Sequence, residues 1–203
     1  MKKHFLSLLA ATALFASCND LKKPEAKNEP QEATADTAVV YRNSEGPAPT
    51  IIDTDPDWTY NTGDMRAVND EESALLPGVR IQASDRVRLY GLNDEVLFDV
   101  DKATLRPDAT KALQDILASI NKRYPNRDMR VYGHTDSTAS AAYNKTLGRE
   151  RADAVRNWLV EQGKVPANRV TVKSLGQAQP IADNGTASGR QENRRVEIAV
   201  LTK

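Results

Sequence analysis

Residues Met129 to Trp158, MRVYGHTDSTASAAYNKTLGRERADAVRNW, read as a strand, a tight loop carrying Gly133-His134-Thr135-Asp136, and a long helix with an arginine in its apolar stripe. At about 100° per residue, Tyr143, Leu147, Ala154, Val155, Trp158 and Leu159 fall on one face of that helix. Arg151 sits in the middle of the face, a turn from both Leu147 and Val155, and Asn144 lies on the same side. The other helix charges, Arg149, Glu150, Asp153 and Arg156, point elsewhere. A guanidinium in an apolar stripe is costly to desolvate unless something pairs with it. One reading is a structural ion pair within the domain, or an arginine whose stem packs while its head reaches water. The other is a pocket for an anionic ligand group, with Asp136 nearby for a cationic one. Periodicity leaves both open.

The flanking sequence alternates between the two periods. Gly78 to Gln82 and Arg86 to Tyr90 read as short strands that extend a sheet at its start. Glu95 to Val100 reads as a strand. Pro107 to Arg123 reads as a helix, with Ala112, Leu113, Ile116, Leu117 and Ile120 at helical spacing and Pro107 in its first turn. Arg130 to Tyr132 is the next strand. Ser140 to Gln162 is the second helix, with Ser140 as N-cap and Gly163 as the stop. Arg169 to Ser174 is a strand, a loop with Gly176, Pro180, Gly185 and Gly189 follows, and Arg195 to Leu201 closes the chain as a last strand. Too few strands for a barrel, alternating with helices, predict an α/β (α+β) two-layer sandwich of βαβαβ-β type. Trp58 and Tyr60, further upstream, carry no assigned role.

The N-terminal quarter is of another kind. Residues 1–17 read as an export signal: Lys2 and Lys3, then an apolar run from Phe5 to Phe15 that is too short to span a bilayer. Ala16 and Ser17 precede Cys18, the chain's one cysteine, which therefore has no internal disulfide partner. This order resembles the lipobox of bacterial lipoproteins, whose cysteine is acylated. The alternative is ordinary secretory cleavage that leaves a free thiol. Residues 18–56 read as a lipidated cysteine and disordered tether, interrupted by Pro24, Pro30, Pro47, Pro49 and Pro56 and too poor in apolar surface to offset its ordering entropy. A coil of that length averages about 35 Å end to end and stretches to around 100 Å. Residues 57–91 form a less legible segment with short strands, and residues 92–203 the main domain.

Several spaced motifs resemble one family. Val96 to Leu105, Gly133-His134-Thr135-Asp136, Tyr143-Asn144, Leu147 to Ala152 and Asn193 to Glu197 are similar to the OmpA-like C-terminal domain. That is the peptidoglycan-binding module of outer-membrane proteins and peptidoglycan-associated lipoproteins. The resemblance implies a pocket for meso-diaminopimelate, whose side chain ends in an ammonium and a carboxylate on one carbon. Arg151 would hold the carboxylate, since its planar fork makes paired charge-assisted hydrogen bonds. Asp136, short and acceptor-only, would hold the ammonium. Thr138, Asn144 and Asp101 match further positions lining that pocket. Arg151 lies about 16 Å along the helix axis from Ser140, so the loop carrying Asp136 must fold back over the helix. Ala139 stands where the family usually has glycine, and a positive φ there would strain it by about 1 kcal/mol. Asn193-Arg194-Arg195 are as readily structural, pairing with Asp99 or Asp136, and stay outside the expected site.

The expected partners are peptidoglycan and, through the lipid at Cys18, the outer membrane, with the domain in the periplasm. Formal charge is balanced at 28 basic and 28 acidic residues, and loss of Lys2 and Lys3 leaves 26 against 28, which argues against a nucleic-acid partner. After processing His134 is the remaining histidine, and no free thiol is left if Cys18 is acylated, which excludes a cysteine nucleophile and a histidine-rich metal cluster. No serine stands in a nucleophile elbow. Asp99 and Asp101 form a D-x-D pair that could hold a hard cation, but on a strand residues two apart point the same way in any sequence. No cofactor and no enzyme activity are expected. The alternative is an interaction protein whose tether or residues 57–91 dock another envelope protein.

Overall fold

The computed structural model describes residues 58–203 together with Asp55. The expected signal segment, Cys18 and the tether to residue 56 apart from Asp55 lie outside the described residues. Six strands, β1 (Arg66–Ala67), β2 (Arg80–Ala83), β3 (Val87–Asn93), β4 (Met129–His134), β5 (Val170–Gly176) and β6 (Arg195–Leu201), form one mixed sheet in the order β1-β2-β3-β6-β4-β5. The β4–β5 pair is parallel and the other pairs are antiparallel. The helices are α1 (Glu71–Leu75), α2 (Asp94–Leu97), α3 (Ala109–Arg123), α4 (Ala141–Glu161) and α5 (Ala187–Asn193).

Side chains alternate across a strand, and here both faces are covered. Tyr90 and Leu92 of β3, Met129 and Val131 of β4, and Val196, Ile198 and Val200 of β6 pack against Leu113, Ile116 and Ile120 of α3 and Ala152, Val155 and Leu159 of α4. On the other face Val87, Leu89, Tyr132, Leu175 and Ala199 are closed over by Trp58 and Tyr60. Arg130 reaches the same side: its guanidinium stacks 4.8 Å from the Trp58 ring, and its Nη2 donates to Asp55 at 2.8 Å. Tyr60 meets Tyr132 edge-on at 6.5 Å. The two strands expected between Gly78 and Tyr90 are present as β2 and β3 and extend the sheet. Asp70 caps α1, whose buried Glu72 accepts from Tyr90 Oη at 2.8 Å and also contacts Arg88, Ser119 and Arg123, tying α1 and α3 to β3.

Four readings need correction. Glu95 to Val100 is not a strand. The chain leaves β3 at Asn93 and turns through α2, and only Phe98 makes a bridge, to Leu105. Consecutive Leu97 and Phe98 are both buried in the helix-side core, which a strand's alternation forbids. Pro107 lies before α3 rather than in its first turn, because Arg106 and Pro107 carbonyls already accept from Ala109 and Thr110 in a preceding turn. Gly133 and His134 belong to β4 and not to the loop. The last loop contains α5, whose sequence ASGRQEN offers no apolar stripe to announce it.

Ser140 caps α4 as expected, accepting from the Tyr143 amide at 3.3 Å. Gly163 ends it for a different reason than conformation: the positive φ belongs to Lys164, at 58°. A Cβ on Gly163 would stand 2.6 Å from both Leu117 Cδ2 and the Leu159 carbonyl, so glycine lets the end of α4 press onto α3.

Candidate functional site

The position of α4 sets the site. Gly148 of α4 rests directly on Gly133 of β4, where a Cβ on Gly133 would fall 1.8 Å from the Gly148 carbonyl oxygen. This close approach brings the next turn of the helix, with Arg151, over the end of the sheet. The faces follow from it. Asn144, Gly148, Arg151, Ala152, Val155, Trp158 and Leu159 are the buried residues of α4, whereas Tyr143, expected on the apolar face, is 50% exposed.

Arg151 is 3% exposed and lines a cavity of about 790 Å³ walled by α2, residues 98–106, the β4–α4 loop and the first turns of α4. Its Nε donates to the Lys102 carbonyl at 3.2 Å, its Nη1 lies 3.2 Å from Asp94 Oδ2, and its Cζ sits 5.5 Å from the Phe98 ring centroid. The structural ion pair and the pocket are therefore not alternatives; Arg151 belongs to both. From Asp94 the charges continue: Arg194 Nε is 3.4 Å from Asp94 Oδ2, and Arg194 Nη1 donates to Asp136 Oδ2 at 3.0 Å. Glu95 approaches the same guanidinium at 3.5 Å.

The loop does fold back over the helix, and Asn144 holds it. Its Nδ2 reaches the carbonyls of Asp136 at 3.0 Å and Ala139 at 3.2 Å, and Gln177 Oε1 at 2.6 Å. Thr138 closes the loop from the other side, its amide and hydroxyl donating to Asp136 Oδ1 at 3.0 and 2.6 Å. Burial raises the Asp136 carboxyl, but the Thr138 hydrogen bonds and Arg194 outweigh it and hold the group below the usual carboxylate range. Ala139 is not among the residues with positive φ, so the missing family glycine costs no strain. Asp101 does take a positive φ, 55°, in the exposed loop at the cavity wall.

Asp136, Arg151, Asn144, Thr138 and Asp101 thus line one cavity. Asn144 is there as a loop brace, since its amide is spent on protein acceptors. Six charged residues outside the expected set line the same space: Asp94, Glu95, Asp99, Lys102, Arg106 and Arg194. Asp94 stands just before the stretch read as a strand, where nothing in its spacing set it apart. Arg194 had a signal, its proximity to Asp136 being one of the pairings expected. Its neighbour Arg195 faces away, into a buried set where it donates to Glu197 Oε1 at 2.8 Å and to the Gln179 carbonyl. His134 ends β4 at 1% exposure with Nε2 3.3 Å from Glu197 Oε2. Burial, with Arg195 beside it, depresses its pKa to about 4, so the imidazole is neutral at ordinary pH. It organises the sheet and does not line the cavity. Among the described residues no helix is long and apolar enough to cross a membrane.

Comparison with known proteins agrees with this architecture. A model of the OmpA family matches residues 97–194. Probable lipoprotein YiaD of Escherichia coli is 40% identical over 123 residues, covering 61% of this chain and 55% of that protein. The outer-membrane lipoprotein YfiB of Pseudomonas aeruginosa is 35% identical over 130 residues, covering 64% of this chain and 76% of the relative. A solved structure, the cell wall anchor of the T6SS from Pseudomonas aeruginosa, superposes with a TM-score of 0.57 at 26% identity, covering 65% of this chain and 93% of that one. The chain spans about half the length of YiaD. A two-layer α/β domain with a charged cavity at one end of its sheet is the OmpA-like type, and this chain belongs to the OmpA family.

Proposed function

We propose that the chain binds peptidoglycan without covalent chemistry, through the diaminopimelate of the stem peptide, and ties the cell wall to the outer membrane. The observation that carries this reading is that Arg151, almost fully buried, and Asp136 line one cavity together, a fixed cation and a fixed anion at two sides of the same space. The ligand's free end carries one charge of each sign on one carbon and complements that pair. The similarity to a protein described as a cell wall anchor supports the same assignment.

In this reading Arg151 takes the carboxylate and Asp136 the ammonium, with Thr138, Asn144 and Asp101 shaping the pocket. Cys18 carries the lipid, residues 18–56 form the tether, and the domain from residue 92 onward, extended by residues 57–91, is the grip on the wall in the periplasm. No catalytic role is assigned. The alternative in which residues 57–91 dock a partner protein is disfavoured by their use within the fold: they supply β1, β2 and most of β3, and bury Trp58 and Tyr60.

The test is calorimetric titration of the chain from Asn19 onward with a diaminopimelate-containing muropeptide, beside Arg151→Ala and Asp136→Ala. Wild type binds, and each variant loses about 2–5 kcal/mol, the cost of stranding one partner of a desolvated charge pair. Equal binding by all three, or none by any, rejects the reading.

A further inference from the structure

Asp94 is where the charge network of the cavity is incomplete. The residue opens α2 at 6% exposure. Its Oδ2 is shared between Arg151 Nη1 at 3.2 Å and Arg194 Nε at 3.4 Å. Its Oδ1 is buried and has no hydrogen-bond partner among the described residues. Arg151 Nη1 is in the same condition: it touches Asp94 without hydrogen-bond alignment and donates to nothing else. Asp136 differs, because both of its oxygens are engaged, Oδ1 by Thr138 and Oδ2 by Arg194.

Native proteins seldom leave buried polar atoms unpaired, and exceptions call for an explanation such as a missing ligand. Here an orphan acceptor and an orphan donor belong to two side chains in contact, and both line the cavity. Burial pushes the Asp94 carboxyl above its ordinary range despite the opposing pull of Arg151 and Arg194.

We infer that Asp94 is a second anionic contact of the pocket, its Oδ1 receiving the free ammonium of the ligand while Arg151 Nη1 receives the carboxylate on the same carbon. The inference rests on the diaminopimelate reading and deepens it. An α-amino-acid head satisfies both orphan atoms at once. A lysine side chain brings an ammonium alone and a simple dicarboxylate brings a carboxylate alone, so each leaves one atom stranded. Asp94 thereby adds to the site's selectivity for stem peptides whose third residue ends in an amino-acid head, beside Asp136, which also anchors Arg194.

The test compares two synthetic stem tripeptides on the chain from Asn19 onward, one ending in meso-diaminopimelate and one in 2-aminopimelate, which keeps the far carboxylate and has hydrogen in place of the free ammonium. Wild type prefers the first by about tenfold or more, the worth of one charge-assisted contact. In Asp94→Asn the diaminopimelate peptide weakens by about tenfold, the aminopimelate peptide stays within about twofold, and the preference collapses. A preference unchanged in the variant overturns the inference. So does an equal loss for both peptides, which would mean that Asp94 acts only by positioning Arg151. If wild type binds neither peptide, the diaminopimelate reading fails and takes this one with it.

Discussion

Gly133 on β4 and Gly148 on α4 touch backbone to backbone, with no room for a side chain on either. A Cβ on Gly148 would meet Ser174 Oγ at 2.6 Å and the Gly133 carbonyl oxygen at 2.9 Å, and one on Gly133 would penetrate the Gly148 carbonyl. A main chain cannot yield as a flexible side chain does. Gly133→Ala is therefore expected to cost more than about 2 kcal/mol, and Gly148→Ala less, because Ser174 Oγ can turn away. Urea unfolding of the two variants checks the order.

Asn144 carries two hydrogen bonds that hold the loop over the helix, to the carbonyls of Asp136 and Ala139. Asn144→Ala leaves the carbonyls of Asp136 and Ala139 without this donor and should cost about 1–3 kcal/mol. Because the loop places Asp136, ligand affinity falls as well, whereas an isosteric Asp at this position restores neither. Thermal melts paired with titration of the muropeptide separate the two effects.

Adjacent arginines should behave differently. Arg195 is buried against Glu197, which Arg80 also pairs, so Arg195→Ala removes one charge-assisted hydrogen bond of a buried carboxylate and is expected to cost about 1.5–3 kcal/mol. Arg194 has a side chain 29% exposed and its partner Asp136 keeps the Thr138 hydrogen bonds, so Arg194→Ala should cost less than Arg195→Ala while altering binding. Denaturant midpoints of the two variants measured side by side decide the point.

His134 predicts an acid-sensitive fold. Its folded pKa is about 4, against about 6.5 in an unfolded chain. Between these values the unfolded state binds a proton that the folded state does not. Stability is therefore flat above about pH 6.5 and falls by about 1.4 kcal/mol per pH unit as pH drops toward 4. Glu197, held well below its ordinary range by Arg195 and His134 despite its burial, adds a further loss that sets in as pH falls below about 4.5. Unfolding free energies from pH 7 to pH 4 should show this slope, and His134→Gln should flatten it whatever its baseline stability.

Much of this was legible in the chain itself. The period of α4 exposed Arg151 as a misfit, and its Ser140 cap and the bounds of β6 follow directly from turn chemistry and alternation. What stayed hidden depended on long-range pairing. Asp94 becomes notable only once β3 and β6 are aligned so that Asn93 faces Arg195. Trp58 and Tyr60 are buried because a second sheet face needs covering, and no local pattern says which residues will do it. The stretch from Glu95 to Val100 looked extended by composition and was bent by tertiary contacts, chiefly the burial of both Leu97 and Phe98.

The plug made by Trp58 and Tyr60 has a mechanical consequence. Upstream chain is joined to a wedge keyed into the sheet face rather than to the end of a strand. Tension entering at Trp58 is met first by the Arg130 and Tyr132 contacts. It next loads β1, a strand of only two residues, then α1 and β2, and reaches the β3–β6 ladder last. That ladder ends at the Asn93–Arg195 pair, beside the residues that carry Asp94 and Arg194 into the cavity. Load therefore meets the outer elements before it reaches the end of the sheet that carries the cavity.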